Sequence, residues 1–109
     1  MNTFKVADLN IIIERHNDPE FKEFFIQAHC EIVDESNPKG GEAFIVNIVS
    51  PLYLKAYIGD SVEIGRGLIL SNDFDKEKIK SRIQILINKS NASTWNELST
   101  FIEKYFDWV

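Results

Sequence analysis

Phe24-Phe25-Ile26-Gln27-Ala28-His29-Cys30-Glu31-Ile32-Val33 decides how this 109-residue chain is read. Successive side chains of a strand point to opposite faces, so Phe24, Ile26, Ala28, Cys30 and Ile32 share one face, and that face is wholly apolar. Phe25, Gln27, His29, Glu31 and Val33 share the other, which is mixed. A strand with one core face and one mixed face belongs to a sheet that is fully covered on one side only.

Downstream, Asp34 to Glu42 holds the breaker cluster Asn37-Pro38-Lys39-Gly40-Gly41, which reverses the chain as a hairpin loop. Ala43 to Val49 is apolar except at Asn47, as expected of a central strand covered on both faces or lying under a helix. Upstream, Phe4 to Ala7 reads as a short first strand. Leu9 to Ile13 is an apolar run too short for periodicity to separate strand from helix, and Asn17-Asp18-Pro19-Glu20 is a turn or helix-start signal.

Ser50-Pro51 opens a short helix, with Ser as cap and Pro at the first helical position. Leu52, Leu54 and Tyr57 are its expected partly buried residues. Gly59 to Gly67 is a polar connector, and Leu68-Ile69-Leu70 a further strand. Asn72-Asp73-Phe74-Asp75 supplies cap chemistry for a helix over about 76–89, in which Ile79, Ile83, Leu86 and Ile87 recur at the spacing of a buried stripe. Thr94 with Glu97 makes a capping-box pattern before a last helix that buries Trp95, Leu98, Ile102 and Tyr105. The expectation is a single domain over 1–109 of the α+β class: a single-layer antiparallel or mixed sheet with helices packed mainly on one face.

Composition narrows the function. A 44% hydrophobic content with eight Phe supplies a core that needs neither staple nor metal. The lone Cys30 fits a reducing compartment, so the expected address is the cytoplasm. No stretch approaches the roughly 20 apolar residues of a membrane span, and the first residues do not read as an export signal, so no membrane partner is expected. The net charge of −5 opposes binding to phosphate backbones, and nucleic acid is not an expected partner. It suits encounter with a basic protein instead.

Catalytic signals are weak. Cys30 with His16 or His29 is the only nucleophile–base combination, yet His29 and Cys30 are adjacent on a strand and point to opposite faces. No Cys-x-x-Cys or His-x-x-x-His spacing is present, so no metal and no cofactor are expected. Of the close carboxylates, Asp73 and Asp75 read as helix caps and Asp60 and Glu63 as connector residues. Gly59–Gly67 lacks the Gly-Lys-Ser/Thr ending of a phosphate loop. Trp108, beside Asp107, is not claimed by the helical stripe and reads as an exposed anchor for a partner.

The stretch Phe44-Ile45-Val46-Asn47-Ile48-Val49-Ser50-Pro51-Leu52-Tyr53-Leu54, the run Gly67-Leu68-Ile69-Leu70 leading to Phe74-Asp75, and Trp95-Asn96-Glu97-Leu98 together resemble the immunity protein 8 family of bacterial polymorphic toxin systems, which includes contact-dependent growth inhibition. That family has a strand ending in Thr-Pro with a following Leu, a Gly-rich approach to an apolar strand and Tyr-Asp, and a Trp-x-Glu helix. Ser50 stands for the family's Thr and Phe74 for its Tyr, and residues 9–23 match little. The resemblance implies a small cytoplasmic protein that binds the C-terminal domain of a cognate toxin and blocks it, with no catalysis of its own.

A charge of −5 suits a basic nuclease as the toxin. Surface carboxylates and the terminal aromatic are then the candidate toxin-binding residues: Asp34, Glu35 and Glu42 around the hairpin loop, Asp60 and Glu63 in the connector, and Asp107 and Trp108 at the end. The alternative is a non-catalytic regulatory or homo-oligomeric domain unrelated to toxins, which would associate through the mixed face of strand 24–33. The oligomeric state is not readable from the sequence. An enzyme using Cys30 or a carboxylate pair is the third reading, and no reaction can be written for it.

Overall fold

The computed structural model describes residues 3–37, 40–63 and 65–109. Pro38 and Lys39 of the breaker cluster and Ile64 of the connector lie outside the described residues. Five strands and three helices alternate as β1 (Phe4–His16), β2 (Phe24–Asp34), β3 (Gly41–Val49), α1 (Pro51–Ile58), β4 (Leu68–Leu70), α2 (Lys76–Lys89), α3 (Trp95–Ile102) and β5 (Asp107–Trp108). The class is α+β, with one mixed sheet.

β1, β2 and β3 form an antiparallel meander, with Cys30 opposite Leu9 on one side and Phe44 on the other. The remaining edge of β3 is shared by two short strands. β4 runs parallel to its end at 47–49, and β5 antiparallel to Phe44 and Ile45. The parallel pairing follows from the crossover through α1, since parallel neighbours need a connection long enough to return the chain.

The alternation of β2 holds at every position: Phe24, Ile26, Ala28, Cys30 and Ile32 are all buried. They meet Phe4 and Leu9 of β1, Phe44, Val46 and Ile48 of β3, and the apolar stripes of α2 (Ile79, Ile83, Ile87) and α3 (Leu98, Ile102). Three caps start the helices as the side chains require. Ser50 Oγ accepts from Tyr53 N–H at 3.2 Å, Asp75 Oδ1 from Glu77 and Lys78 N–H at 3.1 Å each, and Thr94 Oγ1 from Glu97 N–H at 3.2 Å.

Four sequence expectations are corrected. The short first strand and the ambiguous run 9–13 are one 13-residue strand, interrupted by irregularities between Val6 and Asp8 and between Ile11 and Ile13. Only Asp75 caps α2; Asp73 lies near Lys78 Nζ at 3.8 Å instead. The last helix ends at Ile102, so Tyr105 is exposed and Phe106 takes the buried place, stacked on Phe44 at 5.2 Å. On α1, Leu54 is half-buried as expected, but Leu52 and Tyr57 are exposed.

Candidate functional site

The core groups offer no reactive centre. Cys30 is buried, and burial pushes its thiol up to about 12, so it stays protonated and inert at neutral pH. Its sequence neighbour His29 lies on the opposite, half-covered face of β2. Among the described residues no three His, Cys, Asp or Glu side chains gather so as to hold a metal ion. What the fold presents is surface.

The seven candidate residues come in three groups, from the β2–β3 turn, from the connector after α1 and from β5. Asp34 ends β2 and Glu35 follows it, and Glu42 pairs across from Ile32 at the start of β3. Asp34 is engaged internally: its carboxylate accepts from the Thr3 hydroxyl at 2.6 Å and from the Ser36 hydroxyl and N–H at 2.7 and 3.0 Å. The Thr3 bond, reinforced by those from Ser36, holds its carboxyl below the ordinary range. Glu35 and Glu42 are exposed. Asp60 and Glu63, also exposed, lie in the connector that follows α1.

Asp107 and Trp108 form β5 beside the first group. Trp108 is half-buried rather than a projecting anchor, packed edge-on against Phe44 at 5.6 Å. Among the described residues its buried indole N–H has no hydrogen-bond partner, although Glu42, Asn96 and Ser99 line the same cleft with Trp95. Asp107 accepts from Arg66 at 2.7 Å, and the same guanidinium donates to the carbonyls of Glu103 and Phe106. Those carbonyls follow the last turn of α3, where helical partners run out. Arg66 therefore ties the connector to the C-terminal strand.

One concavity was not anticipated. A groove of about 630 Å³ runs between α1 and the sheet face opposite the core. Phe25, Val49, Leu68 and Leu70 line it from the sheet, while Tyr53, Leu54, Tyr57 and Ile58 line it from the helix. Tyr53 rests on Phe25 with ring centroids 5.9 Å apart. Arg15 and Glu63 are its two charged lining residues, and neither forms an ion pair among the described residues. Of the seven candidates, only Glu63 lines this groove. The signal available in the sequence was α1 itself, Leu52-Tyr53-Leu54-Lys55-Ala56-Tyr57-Ile58, whose apolar residues occupy more than one face.

No helix among the described residues is long and apolar enough to cross a membrane. Comparison with curated proteins and with solved structures returns no match. A family model does match, from residue 3 to residue 109, and so covers the segment 9–23 that carries little of the resemblance by eye. Its description is immunity protein 8, a family of immunity proteins whose general partner is a toxin protein, and this chain belongs to it.

Proposed function

We propose that the protein neutralises the C-terminal domain of a cognate bacterial toxin by stoichiometric binding in the cytoplasm of the producing cell, and that the toxin is a nuclease. The observation that carries the reading is the family match over residues 3–109. The charge of −5 supports the nuclease: a nucleic-acid-cleaving domain presents basic surface to its substrate, and an acidic protein competes for that surface. Protection against a lethal enzyme calls for a Kd at or below about 1 nM, some −12 kcal/mol.

The test is co-expression with the C-terminal domain of the reading frame immediately upstream, scored by survival, co-purification and integrity of cellular nucleic acid. Survival, a 1:1 complex and nucleic acid degraded only in the absence of this protein are expected. Death of the co-expressing cells overturns the toxin-neutralising role, whereas survival with a toxin that leaves nucleic acid intact overturns the nuclease alone.

A further inference from the structure

α1 differs from its neighbours in what it does with apolar side chains. α2 buries three isoleucines and α3 buries Leu98 and Ile102, but α1 buries none of its residues. Of the nine large hydrophobic side chains that stand exposed among the described residues, four belong to α1, the connector and β4: Leu52 (51%), Tyr57 (71%), Val62 (97%) and Leu70 (59%). An apolar helix is ordinarily buried, and clustered exposed apolar surface marks an interaction site.

We propose that the groove between α1 and the uncovered sheet face is the toxin's docking site. It receives an apolar side chain from a toxin segment that also carries a basic group to Glu63 and a carboxylate to Arg15. The proposal rests on the toxin-neutralising reading and adds the surface, the anchors and the chemistry of the occupant.

Three observations select that occupant. Arg15 and Glu63 line an otherwise apolar groove and form no ion pair among the described residues, so a segment bearing both signs of charge is complementary to it. Among the described residues no buried polar side chain lines the groove to orient a small ligand, and Tyr57 and Leu70 of its lining are exposed, as suits a protein surface. A second copy of this chain would bring a second charge of −5 to the interface, which opposes self-association and favours a partner of opposite net sign. Tyr53 and Tyr57 supply the rigid aromatic surface on which binding energy concentrates.

The experiment measures Kd for the full chain and the C-terminal domain of the upstream reading frame, with Tyr57→Asp and Leu70→Asp in the groove and, as control, Ile85→Asp at an exposed apolar position of α2, a helix that packs on the core face and does not line the groove. Both groove positions are exposed, and thermal unfolding checks that each variant is folded. Each groove variant is expected to raise Kd about thirtyfold or more while Ile85→Asp stays within about threefold. Should one groove variant fail to fold, the other decides. Tight binding by the parent with both groove variants within about threefold overturns the docking site and leaves the toxin-neutralising role standing. A parent chain that neither binds nor protects removes that role and this proposal with it. Light scattering that shows a dimer dissociated by Tyr57→Asp assigns the groove to a second copy and overturns the toxin as occupant.

Discussion

Ser50 joins three elements through one residue. Its hydroxyl accepts from the N–H of Phe24 at 3.0 Å and from that of Tyr53 at 3.2 Å, and its N–H donates to the Phe24 carbonyl at 3.1 Å. The side chain is buried, so removing the oxygen strands a buried β2 donor as well as an α1 cap. Ser50→Ala is expected to cost about 2–3 kcal/mol, the sum of a lost cap and one unsatisfied donor, while Ser50→Thr keeps the oxygen and most of the stability. Urea unfolding with an unchanged m-value is the measurement. Cys30 gives a second expectation, with a sign set by burial. The folded thiol keeps its proton to about 12, whereas the unfolded thiol releases it near 9.0. Its contribution is complete below the unfolded value and falls as pH rises toward the folded one. The parent should therefore lose stability between those values more steeply than Cys30→Ala, a comparison that cancels the Lys and Tyr titrations common to both proteins.

Elements that follow one period over their whole length were legible, and those set by distant partners were not. β2 keeps strict alternation, so every core position could be named from the sequence. β1 does not: each irregularity, near Ala7 and Ile12, shifts the face of the residues that follow, so 13 residues of continuous strand read as a fragment and an ambiguity. The helix caps were visible because their bonds span two or three residues. The pairing of Arg66 with Asp107 spans 41, and nothing local announces it. The groove was missed for the same reason, since Arg15, Phe25, Tyr57 and Leu70 meet only when β1, β2, α1 and β4 assemble. Trp95 lies between these cases. It was placed correctly at the start of α3, but it is half-buried, resting edge-on against Phe4 of β1 with centroids 4.8 Å apart. Trp95→Ala is accordingly expected to cost about 2–3 kcal/mol, less than the loss of a fully buried Trp, as read by chemical denaturation.

For the whole molecule, the proposed binding divides between long-range charge and short-range packing, and kinetics separate them. A net charge of −5 acts over a Debye length, about 8 Å at physiological salt, and accelerates encounter with a basic partner without adding contacts at the bound interface. Asp60 and Glu63, exposed in the connector beside the groove, are placed to guide that approach. Tyr57 and Leu70 act only once surfaces touch, and their loss speeds escape from the bound state. Asp60→Lys/Glu63→Lys should therefore lower the association rate about tenfold or more at low salt, with the difference shrinking as salt rises. Tyr57→Asp should raise the dissociation rate while leaving most of the salt dependence intact. If the charge-reversed protein instead keeps a parental association rate, steering lies elsewhere, and a faster dissociation rate then reports only the contact of Glu63 with the toxin's basic group. The exposed Glu35 and Glu42, at the β2–β3 turn, are then the surface to reverse next.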